Sequence, residues 1–151
     1  MSANIRFMPF PPEAIFEILA DADRYAGWVV GARASTETDP RWPEPGSSFH
    51  HQQGVGPVHL TDTTTVTAVE PPSRIEMEAR VRPVVVAQVA LTIAPAAGGS
   101  LVRMEETIAG GMAKPFAALL DPLVHHRNAR GLRRLEMLAA EIAGTPVGSA
   151  T

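Results

Sequence analysis

The sequence predicts an α+β fold in which a curved antiparallel sheet of about seven strands wraps around one long C-terminal helix. Three observations predict it. The segment Ala113–Ala143 repeats apolar residues at helical spacing, the middle of the chain alternates apolar and polar residues as antiparallel strands do, and two short helical segments follow the first predicted strand. We expect the long helix to pack on the concave face of the sheet, which leaves a gap for a ligand between them.

The N-terminal elements are predicted from proline and acidic residues. A short strand over Ile5–Met8 ends at Pro9. The helix that follows begins at Pro11-Pro12 and runs to Leu19, because proline is tolerated in a first helical turn, whose amides have no intrahelical partner. Asp21 is predicted to cap a second, very short helix that ends at Ala26.

The strands of the sheet are predicted from period-two alternation. The clearest is Ile75–Val81, which is apolar at odd numbers and carries its charges at even ones. A Thr-rich stretch, Val58–Val69, precedes it, and the more apolar Val84–Ile93 follows. Pro95–Ser100 is predicted to be a turn that leads into a last strand, Leu101–Ile108.

The packing face of the long helix is apolar in its C-terminal half and polar in its N-terminal half. The apolar positions are Leu132, Leu135, Ala139 and Ile142, and the equivalent earlier positions are Asp121, His125 and Asn128. Two interpretations stay open. Either the polar positions line a polar part of the cavity, or the helix kinks near Pro122 and this half faces water.

Length, charge and composition bound the class of protein. A chain of 151 residues is expected to form one domain over residues 1–144, with a flexible tail over 145–151. The net charge of −3 and pI near 5.9 argue against a nucleic-acid partner. No apolar run approaches the roughly 18 residues of a membrane span, and no secretion signal is evident.

The absence of cysteine excludes disulfides, cysteine nucleophiles and cysteine metal sites, and it is compatible with a cytoplasmic location. Two histidine doublets cannot chelate a metal as pairs, because neighbouring residues of a strand or helix point in different directions. We therefore expect neither a metal nor a cofactor. The oligomeric state stays open between a monomer and a homodimer.

Four segments resemble the SRPBCC or START-like superfamily: Pro11–Phe16, Leu19–Trp28, Val66–Ile75 and Arg127–Leu135. With the order of elements, the likeness spans nearly the whole chain and points to the polyketide cyclase/dehydrase-like or coenzyme-Q-binding-like branch. The resemblance implies a helix-grip fold, as in the birch-pollen allergens. Members bind lipids, hormones, quinones or polyketides, and only some are enzymes, so the resemblance assigns no catalytic residue.

The first candidate site residues lie on the long helix and the last strand. His125 and Asn128 are predicted to hydrogen-bond a carbonyl or hydroxyl group of an apolar ligand, and Asp121, beside Pro122, is a weaker candidate. Glu106 shares a strand face with apolar residues, where a carboxylate is costly without a partner such as His125 or an arginine. The alternative is that Glu106 is hydrated at the rim of the cavity.

Two further candidates lie earlier in the chain. His51 shares a strand face with Phe49, and it either lines the cavity or lies at a hydrated sheet edge. Trp28 follows the two short helices, which often border the cavity mouth in this superfamily. The arginines of the last helix could suggest nucleic acid or membrane, but we interpret most of them as a solvated face; they are Arg127, Arg130, Arg133 and Arg134.

The function expected from these residues is binding of a small or medium hydrophobic ligand, which could be a polyketide, a lipid or a quinone-like molecule. One alternative is a polyketide cyclase or dehydratase in which His125 or Glu106 moves a proton and Asn128 holds an enolate. Another alternative is a quinone chaperone or a protein-interaction module that would expose an apolar rim.

Overall fold

The computed structural model describes residues 1–29, 32–36, 38–55, 58–81 and 84–144, and the side chains of all of these except 32–36 and 51–61. The strands are β1 (Ser2–Met8), β2 (Ala32–Thr36), β3 (Ser48–Val55), β4 (Val58–Glu70), β5 (Arg74–Val81), β6 (Val85–Ala96) and β7 (Gly99–Gly110). The helices are α1 (Pro12–Leu19), α2 (Tyr25–Trp28) and α3 (Ala117–Gly144), with single 3₁₀ turns at Ala22–Arg24 and Lys114–Phe116. None of the helices in these residues is long and apolar enough to cross a membrane.

The described strands form one antiparallel sheet in the order β1-β7-β6-β5-β4-β3-β2. Each of the strands β2 to β7 pairs with the strand that follows it in the chain. The last strand, β7, also pairs with the first strand, β1, and Ser2 lies opposite Glu106. The two short helical elements follow β1 and the long helix ends the described chain, so the predicted helix-grip fold is confirmed.

The hydrophobic core lies between the concave face of the sheet and the helices. Alternation along β7 buries Val102, Met104 and Glu106, while the residues between them face outward. Leu132 and Leu135 of α3 are buried in the same core. The C-terminal half of α3 therefore packs against the core, as the apolar stripe predicts.

Close helix packing depends on a small residue in α3. A Cβ atom added at Gly131 would lie 3.2 Å from the carbonyl oxygen of Trp28, tighter than an ordinary contact. Gly131 thus lets α3 approach α2. This approach brings the residues just before Gly131 on α3 close to Tyr25 and Trp28.

Several predicted boundaries are wrong. The turn is only Ala97-Gly98, because β6 extends to Ala96 and β7 begins at Gly99. Gly98 adopts a φ of +81°, which suits a tight hairpin turn. The α-helix begins at Ala117 instead of Ala113 and continues through Pro122, and Ile142 near its end is exposed. The tail predicted over 145–151 lies outside the described residues.

Candidate functional site

Four aromatic side chains form a row across the interior. The rings of Trp28 and Tyr25, both on α2, meet edge to face with centroids 5.4 Å apart. Tyr25 contacts Phe49 of β3 at 4.8 Å, and Phe49 contacts Trp42 at 4.7 Å, again edge to face. Edge-to-face contacts are favourable for aromatic quadrupoles, so the four rings pack together as one apolar cluster.

A buried polar pair, Glu106 and Asn128, lies in the same interior. Asn128 of α3 is only 2% exposed, and its amide Nδ2 donates a hydrogen bond to Oε1 of Glu106 at 3.2 Å. The other carboxylate oxygen of Glu106 lies 3.7 Å from a guanidinium nitrogen of Arg127, which is itself partly exposed. A buried carboxylate is costly without such partners; Arg127 offsets its charge, and Asn128 satisfies one of its oxygens with a hydrogen bond.

Tyr25 links the aromatic row to this polar pair. Burial raises the pKa of the Tyr25 hydroxyl, and the Asp62 carboxylate raises that pKa further. The nearby Thr64 hydroxyl and the positive charge of Arg127 lower the Tyr25 pKa, whereas Glu106 raises it. The hydroxyl therefore lies within electrostatic range of both carboxylates and stays protonated at physiological pH.

The alternation of β4 supplies Asp62 and Thr64 to the same interior. Both side chains are buried, whereas Thr63 and Thr65 between and after them are more exposed. Thr64 pairs directly with Phe49 across β3 and β4, so it lies beside the aromatic row. The polar end of the interior is thus built from β4, β7, α2 and α3.

The β1 edge contributes further buried polar atoms. Asn4 donates a hydrogen bond from Nδ2 to the main-chain carbonyl oxygen of His125 at 3.1 Å. Ser2 lies opposite Glu106 in the β1–β7 register. The Ser2 hydroxyl and the Asn4 amide oxygen are buried without a hydrogen-bond partner in the described structure. Buried polar atoms of this kind commonly bind water or a ligand.

The structure separates the predicted site residues into two groups. It brings Glu106 and Asn128 into direct contact and buries Trp28 at the end of the aromatic row. The side chain of His125 is exposed, and only its main-chain carbonyl faces β1, so His125 is not the partner of Glu106. The partner is an arginine, Arg127.

The remaining predicted residues lie elsewhere. Asp121 pairs at the surface with the N-terminal amine of Met1 at 3.1 Å, so it is not part of the buried polar pair. The side chain of His51 lies outside the described residues. Most of the four arginines of α3 are predicted to form a solvated face, and Arg127 is an exception, because a guanidinium nitrogen lies 3.7 Å from Glu106.

Sequence reasoning missed Tyr25, Trp42, Asp62 and Thr64 as members of the site. The signal for Asp62 and Thr64 was present, since both lie on one face of a strand that also carries Val66. The Thr-rich composition of that strand hides which face is buried. Nothing in the sequence places Trp42 beside Phe49, because the segment between them has no regular element.

Solved structures with the same fold confirm the architecture and are distant in sequence. Protein CV1439 from Chromobacterium violaceum matches with a TM-score of 0.70 at 17% identity, over 90% of this chain and 94% of that one. The di-domain ARO/CYC StfQ from the steffimycin biosynthetic pathway matches with a TM-score of 0.74 at 14% identity, over 95% of this chain and 51% of that one. Ara h 8.0201 matches with a TM-score of 0.73 at 12% identity, over 92% and 96%.

The family of this chain is shown by a match between its sequence and a protein-family model. The model for "Polyketide cyclase / dehydrase and lipid transport" matches residues 4–140, so the chain belongs to that family and the predicted resemblance is confirmed. No curated protein sequence gives a significant match to this chain. The family description covers both chemistry and transport, so the site itself must decide between them.

The single tyrosine allows a direct test of the site's electrostatics. Because its folded-state pKa is raised, we expect Tyr25 to ionise above the ordinary value of about 10 in the native protein and near it in the unfolded chain. The neutral form is the one the fold favours, so stability is retained below about pH 10 and falls as the pH rises above it. Tyrosinate absorbance during alkaline titration, with and without denaturant, measures both states.

The matched variant for this titration is Tyr25→Phe. It should lose less stability between neutral and strongly alkaline pH than the native protein, because the group that ionises on unfolding is gone. Native-state ionisation at the ordinary tyrosine pKa would show that the Tyr25 hydroxyl is not buried beside the two carboxylates.

Proposed function

We propose that the protein binds a small or medium hydrophobic ligand with a polar edge, of the polyketide, lipid or quinone type, between the sheet and α3. The observation that carries this proposal is the composition of the interior, in which a row of aromatic side chains adjoins a few buried polar groups. Such a combination of apolar surface and a few convergent polar groups is typical of small-molecule sites.

The polar groups supply complementary donors and acceptors. A primary amide has two N–H donors and an acceptor oxygen, and the bond from Asn128 to Glu106 uses one donor. The Tyr25 hydroxyl is held in its neutral form and so can donate a hydrogen bond. A ligand carbonyl would accept from these donors, while a ligand hydroxyl would donate to a carboxylate.

Stability alone does not account for the buried polar pair. Replacing a buried charged group and its partners by apolar residues is often neutral or stabilising, because the desolvation penalty offsets what the partners contribute. The cost of keeping Glu106 and Asn128 in the interior is therefore better explained by ligand recognition. A ligand that carries oxygen atoms is therefore favoured over a plain hydrocarbon.

The experiment is native mass spectrometry of freshly purified protein, followed by denaturing extraction of any bound molecule. We expect the wild type to retain an oxygen-containing apolar compound. Asn128→Leu should retain much less of it, whereas the exposed-site control Met137→Ala should retain it fully. Equal retention by the wild type and Asn128→Leu would contradict the proposed site.

A second candidate function is proton transfer to or from the bound ligand, as in a cyclase or dehydratase. The observation that favours it is one neutral acid, Tyr25, within electrostatic range of two carboxylates, Asp62 and Glu106. A carboxylate could remove a proton while the hydroxyl stabilises the developing enolate oxygen. Glu106→Gln separates the candidates, since an enzyme would lose turnover and keep the ligand, whereas a binding protein would show no turnover in either form.

A further inference from the structure

Large apolar residues are exposed on the first turns of α3 and in the segment that leads into it. Four such side chains are between 58% and 76% exposed: Met112, Phe116, Leu119 and Leu123. Leu119 and Leu123 are neighbours on the helix surface, four residues apart, and Phe116 lies one turn earlier. Contiguous exposed apolar surface of this kind on a monomer usually marks an interaction site.

Basic residues continue the same helix face. At helical spacing, His126, Arg130 and Arg133 follow Leu119 and Leu123 along the outer side, and all three are exposed. We refer to these residues, with Met112 and Phe116, as the outer stripe. Asn128 projects from the opposite side of α3, so the outer stripe is separate from the ligand site and does not depend on the proposed function.

The charge around the outer stripe differs from that of the whole chain. Between Met112 and Leu135 there are five Lys or Arg residues and one carboxylate, although the chain carries a net charge of −3. That carboxylate, Asp121, is paired with the N-terminal amine. The outer stripe thus combines apolar side chains with a locally positive field, which suits an anionic partner.

We propose that the outer stripe docks the protein on an anionic lipid bilayer. Four side chains offer a few hundred Å² of apolar surface, which is less than the roughly 800 Å² per partner that a stable dimer buries. Docking on a bilayer needs only that apolar side chains enter the interface while cations meet lipid phosphates. The helix lies on the bilayer surface with Leu119 and Leu123 inserted and Arg130 and Arg133 at the headgroups.

The experiment is vesicle flotation with phosphatidylcholine alone and with phosphatidylcholine containing phosphatidylglycerol. We expect the wild type to float with the anionic vesicles and not with the neutral ones. The Arg130→Glu, Arg133→Glu double variant should bind the anionic vesicles at least about tenfold more weakly, because each basic residue near the surface contributes severalfold. Leu119→Asp with Leu123→Asp should lose binding to the same extent or more.

The control variant is Leu101→Asp, which places a charge at an exposed apolar position on the outer face of β7. It should bind anionic vesicles as the wild type does, and circular dichroism should show all variants folded. The proposal is overturned if the wild type floats with neither vesicle, or if the control loses binding as the outer-stripe variants do. It is also overturned if Leu119→Asp with Leu123→Asp changes only the oligomeric mass, since the stripe would then bind a second copy.

Discussion

Asn128→Asp is expected to destabilise the protein by about 3 kcal/mol at neutral pH, because it places a second carboxylate against Glu106 in the interior. At hydrogen-bond distance two buried carboxylates cannot both stay ionised, so the pair must hold a shared proton. The pKa of the introduced carboxyl is thus raised in the folded state. Its contribution to stability is present at acid pH and is lost as the pH rises, so the variant should approach the wild type near pH 4.

The rescue variant for this prediction combines Asn128→Asp with Glu106→Gln. It exchanges the carboxylate and the amide between α3 and β7, and it restores a single charge beside Arg127. Urea unfolding at several pH values should show recovery of most of the lost stability and of the wild-type pH dependence. Equal destabilisation by the single and double variants would mean that the two side chains do not interact.

Leu135→Ala is expected to reduce the free energy of unfolding by roughly 2–5 kcal/mol. Leu135 is 0% exposed and lies in the core between α3 and the sheet, so truncation removes contacts and leaves a cavity. Met137→Ala on the same helix is the matched control, because Met137 is 63% exposed. It should change stability by less than about 0.5 kcal/mol.

The measurement is chemical denaturation of both variants with a shared m-value. The large difference between neighbouring positions follows from which side of α3 faces the sheet. Similar losses from both variants would contradict the orientation of α3 on which the ligand site and the outer stripe both depend.

The fold could be predicted because its signals are local and periodic. The apolar stripe of Leu132, Leu135 and Ala139 identified the packing face of α3, and alternation identified the strands. Glu106 was identified for the same reason, since it breaks the apolar alternation of β7. Helical spacing also predicts that Asn128 lies on the packing face of α3, and there it contacts Glu106.

The rest of the site depends on tertiary distances that spacing does not give. Helical spacing placed His125 with Asn128, but the packing face of α3 is narrower than the predicted stripe, and the His125 side chain lies at its exposed border. Helical spacing puts Arg127 away from the apolar stripe, but its side chain is long enough to bend back, and only the folded positions show that it reaches Glu106. The row from Trp28 to Trp42 joins the segments 25–28 and 42–49, and no periodicity in the sequence predicts that they pack together.

A ligand titration tests whether the interior polar pair recognises the oxygen atoms of an apolar ligand. Emodin is a suitable probe, since it is a flat aromatic polyketide with carbonyl and hydroxyl groups, and both tryptophans lie in the aromatic row and can report its binding by quenching. We predict saturable quenching in the wild type and in Met137→Ala, with about tenfold weaker affinity in Asn128→Leu. Absence of saturable quenching, or equal affinity in all three proteins, would contradict ligand recognition by Asn128 and Glu106.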